Sequence, residues 1–119
     1  MIILGAALLS GATDAAAEVV NVECVFDMRR DADGTKSDRM ELHYKLDKTT
    51  GRAILEGNAG LSDVVLHMGT EGFSFIEVTE SGAVMTTTVV ISTGRAVHSR
   101  NTVIVRELVE SQYLGRCSW

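Results

Sequence analysis

Chemistry in this chain would have to come from a handful of residues. Three histidines, His43, His67 and His98, are spread over distant segments. Three imidazoles from three strands are enough to hold a catalytic zinc ion. No His-x-His or His-x-x-x-His pair exists to bring them together, so neither a metal site nor a cofactor is expected. His98-Ser99-Arg100 places a base beside a hydroxyl. Neighbours on a strand point to opposite faces, so His98 cannot activate Ser99. No Gly-x-Ser-x-Gly elbow is present. Glu77, Glu80, Glu107 and Glu110 are candidate acids. Carboxylate catalysis needs two of them facing each other at ~5–10 Å, and nothing in their spacing supplies that. Asp31-Ala32-Asp33-Gly34 begins like a calcium loop but lacks the further spaced oxygen ligands and the terminal Glu. It reads as a solvated turn. No Gly-rich phosphate loop follows a strand and opens a helix. No catalytic residue is assigned.

One polar patch stands out. On the run Ala83–Ser92, Val84, Thr86, Thr88, Val90 and Ser92 alternate to one side, and Met85, Thr87, Val89 and Ile91 to the other. On the following run His98, Arg100 and Thr102 share a face, and their pairing partners are expected from the Thr86/Thr88 strip. A turn at Thr93-Gly94 sets Ile91 across from Ala96 and Val89 across from His98; a slip of one residue flips the faces. The expected ligand-binding residues are therefore Thr86, Thr88, His98 and Arg100, suited to an anionic group. The competing reading is a solvated Thr-rich strand face chosen for β-propensity.

The elements that must position these residues are short and β-patterned. Val20 to Met28 alternates, with Val20, Val22, Cys24, Phe26 and Met28 on one face. Arg39 to Asp47 alternates as well, with His43 on the polar side. Arg52–Glu56, Asp63–Met68 and Phe73–Thr79 are shorter runs between glycine-rich turns, and His67 lies opposite Leu66 and Met68. The two runs around Thr93-Gly94 follow, with His98 on the polar face of the second. Leu108–Glu110 is read as a connector and Ser111–Cys117 as a final strand. No stretch carries a 3.6-residue period over ten positions. Short connections imply sequential antiparallel pairing. Eight such strands satisfy their edges by closing into a small up-and-down β-barrel, with a two-sheet sandwich as the alternative.

Residues 1–17 are expected to be a signal peptide, and residues 18–119 a single barrel domain. Met1 to Leu9 is an apolar run too short for the ~20 residues that cross a bilayer as a helix. Ala15-Ala16-Ala17 supplies a cleavage site, although no Lys or Arg precedes the apolar run. The two cysteines, Cys24 and Cys117, fall at the ends of the mature part. In an oxidising compartment such a pair forms a disulfide, here joining the first strand to the last. A loop of that length contributes roughly 4–5 kcal/mol on the chain-entropy model.

The whole composition fits a small exported protein. The 119 residues are 45% hydrophobic and only 5% aromatic, so aliphatic side chains must fill the core. The net charge of −5 disfavours nucleic acid as a partner. Strand runs as short as Arg52–Glu56, with few aromatics, disfavour integral membrane insertion, although Trp119 at the end of an alternating run is the ending common in outer-membrane barrels. The plan is similar to that of small secreted barrels that act as carriers or as inhibitors of exoenzymes, such as lipocalin-like and lysozyme- or protease-inhibitor barrels. The Gly-x-Trp signature usual near the start of lipocalins does not occur; the sole tryptophan is Trp119. The resemblance implies a non-enzymatic periplasmic or secreted barrel that binds a small molecule or a partner protein. The alternatives are a small hydrolytic or metal-dependent enzyme using His98 or His67, and a structural cell-envelope protein. A carrier predicts a hollow interior. An inhibitor predicts a filled interior and a projecting loop, expected at Arg30–Asp38.

Overall fold

A computed structural model describes residues 18–57 and 60–119. The signal-peptide reading of residues 1–17 lies outside them. Eight strands follow one another: β1 (Val19–Asp31), β2 (Gly34–Asp47), β3 (Ala53–Gly57), β4 (Gly60–Met68), β5 (Gly72–Val78), β6 (Val84–Val90), β7 (Arg95–Ile104) and β8 (Glu107–Ser118). Each pairs antiparallel with the next, and β8 pairs with β1 to close the barrel. The sandwich alternative is thereby excluded. Closure leaves neither β1 nor β8 as a free edge strand.

The inward faces follow the alternating apolar positions. Val22, Cys24, Phe26, Leu42, Tyr44, Ala53, Leu55, Val64, Phe73, Phe75, Val89 and Ala96 are buried in one continuous core. Tyr44 stacks on Phe75 with ring centroids 3.9 Å apart, and Phe73 meets Phe75 edge-on. Trp119 packs its ring edge-on against Phe73 at 5.2 Å, capping that end while staying half exposed. Most of the interior is filled, not hollow.

Cys24 and Cys117 stand directly opposite each other on β1 and β8 and are joined by the disulfide. The bridge lies across the one seam that no turn connects. Gly115 sits on the same seam. A Cβ there would fall 2.6 Å from the Cα of Phe26 and closer still to the carbonyl oxygen of Val25, so only glycine lets β8 approach β1 this closely.

A β-bulge changes the expected face of β1. The register shifts between Phe26 and Met28 against both neighbouring strands: against β8 Asp27 is the extra residue, and against β2 it faces two residues, Asp38 and Arg39. The alternation of β1 reverses after it. Met28, expected inside, is exposed, while Arg29 and Asp31 are partly buried. The expected loop Arg30–Asp38 is instead the top of a β1–β2 hairpin with a tight turn at Ala32-Asp33. It is pinned by Arg29, which reaches Asp31 at 3.2 Å and Asp38 at 3.1 Å, and by pairing of β1 with β8 as far as Ser111.

The rim is oblique. β2 pairs with β3 only from His43 to Leu46, leaving the upper part of β2 taller than its neighbour. β6 pairs with β7 only as far as Asn101. Strands β1, β2, β7 and β8 thus form a tall wall, and β3 to β6 a low one. The tallest part is a two-stranded ribbon from Thr102 to Val109, paired only with itself. The expected connector Leu108–Glu110 is part of β8, and the chain reverses at Val105-Arg106. Both residues have positive φ, 49° and 66°, as in a type I′ turn.

Candidate functional site

Two features at the rim end carry functional potential: a polar line that rises through the core to Arg100, and the ribbon beyond it. The line begins at Tyr44 on β2. Its hydroxyl lies 2.7 Å from Oγ1 of Thr87 on β6, and that oxygen lies 2.7 Å from Nδ1 of His98 on β7. Arg100, two residues further along β7, donates from Nε to Nε2 of His98 at 3.4 Å. The order of donors follows from these contacts. A guanidinium only donates, so Nε2 of His98 accepts and the imidazole proton sits on Nδ1. Nδ1–H donates to Thr87 Oγ1, and a hydroxyl–hydroxyl bond joins Thr87 to Tyr44.

Burial sets the protonation states. His98 is 2% exposed and Thr87 is fully buried. Burial, helped by the positive charge of Arg100, pushes the His98 imidazole down to about 4. Burial pushes the Tyr44 phenol up to about 12, against the opposing effect of its bond to Thr87. Both side chains are neutral at ordinary pH. Neither ring nitrogen of His98 is left to take a proton from a substrate. That arrangement supports positioning, not general-base catalysis.

The expected patch is only partly assembled. His98 and Arg100 share a face, as read from sequence, but that face is the interior. Thr87 lies opposite His98, Thr86 opposite Ser99 and Thr88 opposite Val97. Directly opposed residues share a face, so Thr87 joins the histidine while Thr86 and Thr88 turn to the outer wall. Thr88 bonds there with the Ser74 hydroxyl at 2.8 Å. The loop between β6 and β7 runs from Ile91 to Gly94, which accepts φ +77°, and pairing begins at Val89 and Ala96. It is two residues longer than the expected turn. A slip of two preserves faces, so the strip of Met85, Thr87 and Val89 was always the one to follow inward. Thr87 and Tyr44 had a signal: each is a hydroxyl on an otherwise apolar alternating face.

The other two histidines stand apart. His43 is on the outer wall, with Nε2 3.1 Å from Asn21 Oδ1 and Nδ1 3.9 Å from Glu56. His67 is exposed on β4. Among the described residues no group of three or more His, Cys, Asp or Glu side chains is arranged to hold a metal ion.

Above His98 the interior opens into a cup of about 320 Å³ whose lining includes Met40, Leu42, Leu55, Glu77, Met85 and Arg100. The Arg100 guanidinium stands 5.4 Å from the centre of the Tyr113 ring, and its Nη2 lies 3.7 Å from the Met40 sulfur.

The ribbon is the second feature. Val103, Ile104, Val105, Leu108 and Val109 are all exposed, Val105 by 88%. Val103 and Leu108 are directly paired and continue the outer face. Ile104 and Val109 continue the face that carries His98 and Arg100. The ribbon is apolar on both sides.

No helix among the described residues is long and apolar enough to cross a membrane. Comparison of the chain with protein-family models, curated proteins and solved structures returns no match.

Proposed function

We propose that this is a non-enzymatic, exported binding barrel that engages a partner protein through the β7–β8 ribbon, a role like that of an inhibitor barrel. The observation that carries the reading is the ribbon itself. Five exposed aliphatic side chains cluster on eight residues that pair with no other strand of the described barrel. Contiguous apolar patches on soluble domains mark interaction surfaces. The turn adds to the case: Val105 is β-branched and held at φ 49°, a conformation that such residues strongly avoid. Backbone strain of this kind clusters at functional sites.

Below the cup the interior is packed with side chains, which supports this reading over a carrier that encloses its ligand deep in the barrel core. The blocked nitrogens of His98 support it over a hydrolytic enzyme. The disulfide is compatible with the periplasm or the extracellular space. Charged pairs on the outer wall, Lys45 with Glu56 at 2.7 Å and Arg52 with Asp63 at 3.1 Å, suit a wall facing water and not lipid.

The test is site-specific photocrosslinking in the source organism. A crosslinker at position 105 or 108 is expected to give one discrete protein adduct, lost when Val103 and Ile104 are changed to Glu. A crosslinker at Val65, exposed on the outer wall, is expected to give none. Equal labelling from all three positions, or none from the ribbon, would sink the proposal and leave a structural envelope role as the better account.

A further inference from the structure

We propose that the cup at the low side of the rim is a separate binding site for an aliphatic monocarboxylate, with Arg100 as the residue that takes the carboxylate. This does not depend on the ribbon's role, and either can fail alone.

The argument starts from an imbalance between two arginines at the same end of the barrel. Arg29 is matched by two carboxylates, Asp31 and Asp38. Arg100 is equally part-buried, yet among the described residues no carboxylate lies within 4.0 Å of it. Its contacts are a long bond to His98, a thioether and an aromatic face. A partly desolvated cation without a direct ion pair is unfavourable by itself, and beyond the contacts of Nε and Nη2 its N–H donors have no other partner among the described residues. A guanidinium presents those donors as a planar fork that matches a carboxylate. His98 fixes the Nε edge and Tyr113 supports the plane, so the fork is oriented before anything binds. Arg100 itself lines the cup.

The lining sets the rest of the ligand. Met40 and Met85 are flexible thioethers that adapt to an inserted chain, and Leu42 and Leu55 give apolar walls. Glu77 lines the same cup. Its negative charge opposes a phosphate dianion more than a carboxylate. The volume of about 320 Å³ falls at the lower end of small-molecule sites, roughly 300–1,000 Å³. A short fatty acid meets all of these conditions.

The test uses the disulfide-bonded protein and octanoate, read by calorimetry and by the NMR signal of the Arg100 Nε–H. Saturable one-to-one binding is expected, with that signal shifting in step. Arg100→Gln is expected to weaken binding at least tenfold, and octanol and octyl phosphate are each expected to bind the unmodified protein at least tenfold more weakly than octanoate. The ligand comparisons need no variant, so they hold even where Arg100→Gln perturbs folding. N-acetylglutamate tests the other source of a carboxylate, a side chain of a partner protein. If it binds as tightly as octanoate, the aliphatic part of the proposal is overturned. Octanoate binding that is unsaturable, unchanged in Arg100→Gln or matched by octanol overturns the whole.

Discussion

Thr87 Oγ1 and His98 Nδ1 meet 2.7 Å apart in the barrel core, and among the described residues Thr87 is the hydrogen-bonded link between His98 and Tyr44. Thr87→Val keeps the shape and removes the link. It leaves the imidazole N–H and the phenol oxygen without this partner, at about 1–3 kcal/mol each. The expected loss is roughly 2–4 kcal/mol of unfolding free energy in urea titration. Thr86→Val, one residue away on the outer wall, is expected to change stability by less than about 0.5 kcal/mol. Equal effects from the two variants would contradict the register of β6 and β7.

Acid sensitivity should trace to His98. Its folded value of about 4 lies below the unfolded value near 6.5. Between these values the unfolded chain binds the extra proton, so stability rises with pH there. The contribution is complete above pH ~6.5 and is lost progressively as pH falls toward ~4. At ~1.4 kcal/mol per pH unit it amounts to about 3 kcal/mol. Chemical denaturation across this range should show the slope, and His98→Gln should flatten most of it. Tyr44 acts at the opposite extreme. Its raised value of about 12 predicts stability that is lost as pH climbs above ~10, because only the unfolded chain then releases the phenolic proton.

Removing the bridge should open one seam and not the whole wall. Cys24→Ala with Cys117→Ala releases a separation of 93 residues, with an expected loss of about 2–5 kcal/mol. Hydrogen exchange should then rise first along Cys24–Phe26 and Gly115–Ser118, the pairs that the bridge holds. A uniform rise over all eight strands would count against a seam held chiefly by that bond. Thiol titration of protein isolated without reductant should find no free thiol; two free thiols would remove the case for export.

Relieving the ribbon turn should separate stability from binding. Val105→Asn with Arg106→Gly places at positive φ the residues that a type I′ turn prefers. The expected gain is about 1 kcal/mol in thermal or urea unfolding. The same change removes the most exposed aliphatic side chain, so crosslinking to a partner from position 108 should fall. A stabilised variant with undiminished crosslinking would place the contact on the strands of the ribbon, away from its tip.

Much of the architecture was legible because β alternation repeats on every strand and the connections are short. The eight strands, their order and the Cys24–Cys117 bridge all follow from that pattern. The misplacements share a cause: backbone events with no residue signature. Asp27 bulges without a glycine, and this turned Met28 outward and Arg29 inward. Val105-Arg106 turns without Asn or Gly, so alternation alone divides the ribbon into a strand and a connector. The loop from Ile91 to Gly94 took two residues that looked like strand. His98 and Arg100 were recognisable as a pair of polar residues on one face. That the face is the interior depended on their pairing with Thr87, which alternation alone does not decide.

The bridge across the β1–β8 seam also alters what a cut can do. Seven turns join neighbouring strands, and the disulfide supplies the eighth junction. From Cys24 to Cys117 the chain is therefore a covalent ring. A protease that nicks any single turn within it opens the ring but releases no fragment. The strands stay tethered in their original order, and the cut protein is in effect a permuted version of itself with new ends at the nick.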